Sequence, residues 1–285
     1  MVSKRFLRLL TIAIITAVNI FLKVKEVVFM PTVEYEGISF VINDSHVLTN
    51  MINCGIGKRR DISIPKQFPS GEVIKCLGFR FCVGEFGLVD VANGIRYVHS
   101  EAFAQSDVRE VNWPSGCKRI PEDCFKNSNI EKITGIEKVT EIDAGAFCCT
   151  KLKELSWPHD CKIIPWGCFA SSKISALSGI EGVEVIEDEA FCNSEIKELT
   201  WPDSCERIPT FCFFESAIRK LDNLKGVTSI GASAFKYTFG LEFLDFSASV
   251  ISEVGECAFQ TSNLCKVFPP YYCSEEIQKK FFEEV

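Results

Sequence analysis

Two stretches of the chain are close copies of each other. Residues 146–165 read AFCCTKLKELSWPHDCKIIP, and residues 190–209 read AFCNSEIKELTWPDSCERIP. The copies lie 44 residues apart, and a phenylalanine recurs at half that distance, every 22 residues. A fixed period of this length indicates a repeat protein, in which each unit packs mainly on its neighbours. The phenylalanines with this spacing are Phe81, Phe103, Phe125, Phe147, Phe169, Phe191, Phe213 and Phe235, and Phe259 follows after 24 residues.

Two kinds of unit alternate along the repeat. In one kind Trp113, Trp157 or Trp201 follows the apolar positions, and in the other Gly135 or Gly179 takes the equivalent place. Most units keep the order L-x-x-L-x-L, which is typical of one strand per coil followed by a short convex segment. We therefore predict an α/β repeat fold, namely a leucine-rich-repeat solenoid with one short parallel strand per 22-residue coil. A tryptophan ring of one coil is expected to fill the space beside the glycine of the next.

The repeat units also carry a family resemblance. Residues 146–164 and 190–208 both begin with Ala-Phe, continue with an L/I-x-x-L-x-W-P segment and end on an isoleucine. These units resemble BspA-like leucine-rich repeats, and the resemblance covers about residues 79–268. Members of that family are often surface antigens, so the resemblance implies adhesion or partner binding. Residues 31–78 resemble the β-rich segment that leads into the repeats of that family.

The first residues of the chain differ from the repeats. Residues 1–29 form a hydrophobic leader in which three basic residues precede an apolar run from Leu9 to Leu22. A run of this kind is too short for a comfortable transmembrane helix but is typical of a secretory signal. Three interpretations stay open: a signal peptide or anchor, a buried terminal helix, and a mis-called start with translation from Met30.

Three further segments are expected after the leader. Residues 31–78 are predicted to form an N-terminal β-rich cap, and residues 79–268 the solenoid. Residues 269–285 are predicted to form a C-terminal cap helix. Ser274 is placed to cap this helix, which carries Ile277 and Phe281 on one face.

Composition and motifs exclude several classes of function. The net charge is −7 and the basic residues are not clustered, so we expect no nucleic-acid partner. The three histidines have no metal-ligand spacing, and no phosphate-binding, dinucleotide-binding or hydrolase motif is found. We predict a protein that is not an enzyme and takes no cofactor and no metal. Membrane association is expected only through the leader, if it is retained.

Most of the 15 cysteines follow the repeat. Two columns of cysteines exchange with valine or alanine in the intervening coils, so these are buried apolar slots. Equivalent cysteines two coils apart are roughly 10 Å from each other, too far for a disulfide, although pairing within one coil stays open. We predict that the interior cysteines are reduced and structural, whereas Cys149 occupies an otherwise polar column and is either an exposed thiol or the product of drift. The cysteines of the two columns are Cys117, Cys161 and Cys205, and Cys124, Cys168 and Cys212.

The outward residues of the predicted strands form a candidate concave binding face. In each L-x-x-L-x-L unit, the residues on either side of the second apolar position point away from the core. One column mostly alternates in charge, and the other is mainly small and polar. These columns either keep the parallel sheet soluble and in register or bind a polar partner. The candidate residues are Glu110, Asn112, Lys132, Glu154, Glu198, Lys220, Asp222, Phe243 and Asp245.

Two functions follow from these observations. The leading prediction is a cell-surface or secreted module that binds a protein or a glycan through the concave parallel sheet. The alternative is an intracellular protein-interaction scaffold of the same fold, cytoplasmic and translated from Met30. The export of residues 1–29 separates the two.

Overall fold

The computed structural model describes residues 32–35, 38–53, 60–71, 73–78, 80, 82, 83, 85–241, 243–262, 266–271 and 273–283. The predicted leader and Phe81 lie outside the described residues. Within the described part of the chain, no helix has the length and apolar character needed to cross a lipid bilayer.

The first described strands start both sheets of the molecule. Strands β1 (Thr32–Tyr35), β2 (Ile38–Ile42) and β3 (Val47–Asn53) pair in an antiparallel order. Strand β3 also pairs in parallel with β5 (Cys76–Leu77) and β6 (Cys82–Val83). Phe40 and Phe68 pack at 4.9 Å under this sheet and are buried. The antiparallel strands thus cover the first coil and pass a parallel edge to the coils that follow.

One row of strands runs along the solenoid, and we call it the first ladder. Each member has a buried central residue between two outward residues, because successive side chains of a strand point to opposite faces. The first ladder consists of β4 (Arg60–Ile64), β7 (Phe86–Val91), β9 (Glu110–Asn112), β11 (Lys132–Thr134), β13 (Glu154–Ser156), β15 (Ala176–Ser178), β17 (Glu198–Thr200), β19 (Lys220–Asp222), β21 (Phe243–Asp245) and β23 (Lys266–Phe268).

Strands of the first ladder pair in twos after β11. Each tryptophan-type coil bonds to the glycine-type coil or its equivalent after it, as in β13 with β15 and β17 with β19. The amide of Trp157 donates to the carbonyl of Ser178 at 2.8 Å and extends the ladder by one bond. Gly179, which follows Ser178, has a left-handed φ of +77° and turns the chain out of the ladder. The 44-residue alternation of the sequence is therefore visible in the hydrogen bonding.

A second row of two-residue parallel strands, the second ladder, lies on another side of each coil. A parallel strand every 22 residues confirms the predicted solenoid, but each coil has two strands rather than one. A strand of two residues has only one outward position, which is too little to produce a visible alternation in the sequence. The second ladder consists of β8 (Tyr97–Val98), β10 (Arg119–Ile120), β12 (Glu141–Ile142), β14 (Ile163–Ile164), β16 (Val185–Ile186), β18 (Arg207–Ile208), β20 (Ser229–Ile230) and β22 (Glu253–Val254).

The third side of each coil is built from turns, so the helical part implied by an α/β repeat is almost missing from the described residues. Two residues per turn segment have left-handed backbone, for example Asp123 and Asn127. The amides of this segment donate to carbonyls of the next coil, as Phe125 does to Ala146 at 2.9 Å. These bonds satisfy the backbone without a helix. A short 3-10 helix, Leu224–Gly226, interrupts one coil elsewhere.

The phenylalanine column predicted from the sequence runs through the core. Neighbouring rings from Phe103 to Phe259 are stacked with centroids 5.1 to 5.7 Å apart. A buried tryptophan packs against this column in alternate coils, as Trp157 does against Phe169 at 5.9 Å.

Helix α1 (Glu275–Glu283) covers the last coil. The hydroxyl of Ser274 accepts a hydrogen bond from the Ile277 amide at 3.2 Å, as the capping pattern predicts. The buried ring of Phe281 lies 5.4 Å from that of Phe259, the last ring of the column.

Candidate binding surfaces

The nine residues predicted as a binding face lie together on the outward side of the first ladder, and we call this surface the first-ladder face. Glu110 and Asn112 are half-buried, and the other seven are exposed. The register places Lys132 beside Glu110 and Lys220 beside Glu198. The two predicted columns are therefore present in the structure, and binding by them stays a prediction.

The charges of the first-ladder face pair in two different ways. The ammonium of Lys132 forms an ion pair with Glu110 on the neighbouring strand, as the alternation of charge predicts. Lys220 instead forms its ion pair within its own strand, with Asp222 at 2.6 Å. The hydrogen bond to Asp222 raises the pKa of Lys220 above its usual value. Charge alternation alone therefore does not describe the face.

The column of small polar residues is hydrogen-bonded at its N-terminal end. The amide nitrogen of Asn112 donates to Asp90 at 2.6 Å, and the Thr134 hydroxyl donates to Asn112 at 3.3 Å. Ser63 extends this chain by donating to Asp90 at 3.4 Å. Sequence reasoning missed Ser63 and Asp90, because their strands precede the regular repeats. This end of the column ties strands together and leaves fewer groups for a partner.

The C-terminal end of the first-ladder face has a different character. The ring of Phe243 is 48% exposed on strand β21, and Asp245 lies on the same side of that strand. The Asp245 carboxylate accepts a hydrogen bond from the Ser247 amide at 2.9 Å. Hydrogen bonding to Ser247 lowers the pKa of Asp245, so this carboxylate is charged at neutral pH. An aromatic ring and a charged acceptor therefore lie together here.

The cysteine columns have the environment that the sequence predicts. Cys117, Cys161 and Cys205 are buried, and all 13 described cysteines are free thiols. Each thiol of this column donates weakly to a carbonyl of the preceding coil, as Cys161 does to Val139 at 3.4 Å. Burial raises the pKa of Cys161 to about 12, so the thiol stays protonated. Cys149 is half-exposed, and its sulfur lies 3.6 Å from that of Cys148.

Two exposed apolar regions were not found from the sequence. One is on the second ladder, where Ile163, Val185 and Trp166 are each 45–48% exposed. The other is on the turns of the last coils, where Phe211 and Phe239 are 38% and 59% exposed. The signal for both was available, because these residues replace charged or small residues of the other coils. The described residues contain no group of three side chains suited to hold a metal ion.

The two parallel ladders, the turn segments and the phenylalanine column define a leucine-rich-repeat β-solenoid. Residues 74–195 and 184–285 match, in six copies, the family described as BspA type leucine rich repeat region. The chain belongs to the BspA-type leucine-rich repeat family. The resemblance seen in residues 146–164 and 190–208 is thereby confirmed.

The fold is similar to that of several bacterial proteins of known structure. A leucine rich cell surface protein from Faecalibacterium prausnitzii is 19% identical, with a TM-score of 0.55 over 84% of this chain and 76% of that chain. The pneumococcal vaccine antigen PcpA is 14% identical, with a TM-score of 0.49 over 82% and 80% of the two chains. A leucine-rich repeat protein from Eubacterium ventriosum is 15% identical, with a TM-score of 0.41 over 86% and 76%. The likeness to the first of these shows the fold. A search of curated protein sequences found no match.

Proposed function

We propose that this protein is a non-enzymatic binding module that acts at the cell surface or after secretion. Membership of the BspA-type family supports the proposal, since the protein from F. prausnitzii with the same fold is described as a cell surface protein. The partner we propose is a protein or a glycan. The observation that carries the proposal is the first-ladder face, where hydrogen-bonded strands hold outward side chains in two columns.

The C-terminal end of the first-ladder face is the proposed centre of binding. Phe243 supplies an exposed aromatic ring, and aromatic residues dominate binding hot spots. Asp222 and Asp245 supply acceptors, and Lys220 supplies donors, on the same side of adjacent coils. A partner that fits this surface is polar with one apolar contact, and its affinity is modest because most of the face is charged.

The proposal is tested by a double substitution, Phe243→Ala with Lys220→Glu. The wild-type chain is applied to a printed glycan array and to an array of purified extracellular proteins, and each ligand found is then titrated. The double variant is expected to bind about tenfold more weakly, because it removes the aromatic anchor and reverses a charge. Its melting temperature should change by only about 2 °C, since both side chains are exposed.

A matched control makes the same chemical changes elsewhere. Tyr97→Ala with Lys138→Glu removes an exposed ring and reverses an exposed charge outside the first ladder. This control is expected to retain wild-type affinity. A chain that binds nothing on either array, or a ligand that binds the double variant as tightly as wild type, contradicts the proposed face.

A second candidate function is an intracellular protein-interaction scaffold of the same fold. The observation that favours it is the state of the cysteines, since buried free thiols such as Cys161 and Cys205 are typical of proteins in reducing compartments. Mass spectrometry of the first peptide of the native protein and protease shaving of intact cells separate the two. A native chain that begins at Met30 and resists shaving supports the scaffold, and cleavage of the chain on intact cells supports the surface module.

A further inference from the structure

The outward column of the second ladder changes character in the middle of the solenoid. Arg119, Glu141, Arg207 and Glu253 hold this position in other coils, but Ile163 and Val185 hold it in two adjacent coils. These two residues are in register on hydrogen-bonded strands, and each is 45% exposed. Two exposed β-branched residues side by side form an apolar contact surface rather than isolated exposed residues.

A tryptophan adjoins this apolar surface. Trp166 is 48% exposed, whereas Trp113, Trp157 and Trp201 are buried in the core. Its backbone amide donates to the Glu187 carboxylate at 2.7 Å, which holds a negative charge beside the residue. Exposure of a tryptophan on a rigid strand-and-turn frame is the arrangement found at the centre of many binding sites.

Trp166 forms one wall of a groove, which we call the Trp166 groove. The groove has a volume of about 580 Å³ and is lined by Trp166, residues 184–188 and residues 204–207. Four carboxylates and one guanidinium line it, and the guanidinium of Arg207 lies 3.3 Å from Asp188. Glu184 and Glu206 occupy equivalent places in adjacent coils, and within the described part of the chain neither has an ion-pair partner. The groove therefore has an excess of negative charge next to an indole ring.

We propose that the Trp166 groove binds an arginine-bearing segment of a partner protein. A guanidinium group can stack on an indole face and donate to carboxylates at the same time, which an ammonium does less well. The aliphatic stem of the arginine, or an apolar neighbour, would contact Ile163 and Val185. Carboxylates that have no ion-pair partner, Glu184 and Glu206, supply the complementary charge. This site lies on the second ladder and is independent of the first-ladder face.

The test uses a fluorescein-labelled peptide of alternating arginine and leucine. Two matched peptides carry lysine or glutamate in place of arginine, and binding to the full chain is followed by fluorescence polarisation. The arginine peptide is expected to bind most tightly, the lysine peptide more weakly and the glutamate peptide not measurably. Affinity for the arginine peptide should fall as salt is added.

Two variants locate the binding to the groove. Trp166→Ala is expected to weaken binding about thirtyfold, as truncation of a tryptophan hot spot does. The double variant Glu184→Gln with Glu206→Gln should weaken it about fivefold and reduce its salt dependence. Glu253→Gln is the matched control, because Glu253 is exposed on the same ladder but outside the groove. Circular dichroism checks that each variant keeps the fold.

A second readout uses tryptophan fluorescence. Because the other three tryptophans are buried, quenching by acrylamide reports mainly on Trp166. The arginine peptide is expected to protect this fluorescence, and the glutamate peptide is not. Equal affinity for the arginine and glutamate peptides, or unchanged affinity in the Glu184→Gln and Glu206→Gln double variant, overturns the proposal. Binding of the arginine peptide to the Phe243→Ala and Lys220→Glu variant separates this site from the first-ladder face, so that either proposal can fail alone.

Discussion

At the scale of single residues, the phenylalanine column is the main source of core stability. The Phe169 ring is stacked at 5.7 Å on both Phe147 and Phe191 and is fully buried. Phe169→Ala is expected to lower the free energy of unfolding by about 3–5 kcal/mol, because the cavity is enclosed by rings on both sides. Urea denaturation measures this. Cys161→Val, a change of similar volume in a buried slot, is the control and should cost less than about 1.5 kcal/mol. Equal losses from the two variants would contradict the role of the column.

The buried cysteines make a prediction about pH. Burial raises the pKa of Cys168 and Cys212 well above the usual 9.0, while the unfolded chain ionises these thiols near their usual pKa. Their contribution to stability is therefore complete below about pH 9 and is lost as the pH rises above it. The variant Cys168→Ala with Cys212→Ala should lose less stability than wild type between about pH 8 and pH 11. The difference should approach about 1.4 kcal/mol per pH unit for each thiol. Parallel pH profiles for the two proteins would reject this linkage.

The redox state of the same columns can be measured directly. We expect Cys117, Cys161 and Cys205 to be reduced in the native protein, since each is buried in a slot that holds valine in alternate coils. The protein is prepared without reductant, denatured in the presence of an alkylating agent and examined by mass spectrometry. Full alkylation of these three is the expected result, and finding all three oxidised would overturn it.

At the scale of elements, the turns that end each strand decide how coils stack. Gly135 follows strand β11 with a φ of +79°, and a Cβ there would lie 2.5 Å from the Trp113 carbonyl oxygen. Gly167 also has a left-handed φ, but a Cβ there would meet nothing closer than 3.9 Å. Gly167→Ala should therefore cost about 1 kcal/mol for the backbone alone, and Gly135→Ala about 2–4 kcal/mol because the tryptophan-type coil must also move. Thermal denaturation compares them, and an equal loss would show that the close approach to Trp113 is not important.

At the scale of the whole molecule, stability passes from coil to neighbouring coil. Helix α1 covers the last coil through Phe281, whose ring lies 5.7 Å from Phe246, and through a hydrogen bond from Lys280 to the Val254 carbonyl at 2.7 Å. In a solenoid, loss of this cover should weaken the nearest coils most. Phe281→Ala is expected to increase amide hydrogen exchange in residues 243–262 and 275–283 and to leave residues 108–134 unchanged. A uniform increase along the chain would show that the molecule unfolds as one unit instead.

The chance of predicting each feature depended on how often the repeat sampled it. The alternation around Val111, Leu155 and Leu199 recurs in many coils, so the first ladder and its outward residues followed from the sequence. The second ladder was missed because each of its strands has two residues, and with it the exposed pair Ile163 and Val185. A search for departures from the charged residues of that column would have found both.

The sequence by itself determined the solenoid, the column of phenylalanines, the buried cysteine slots and the cap of the last helix. It could do so because a 22-residue period places equivalent side chains in equivalent surroundings. Only the tertiary structure decided that Lys220 pairs with Asp222 rather than with Glu198 across the ladder. It also decided that Trp166 and Glu206, 40 residues apart, line one groove. Such choices depend on competition between nearby partners that differ by about 1 kcal/mol or less, and a periodic pattern does not record differences of that size.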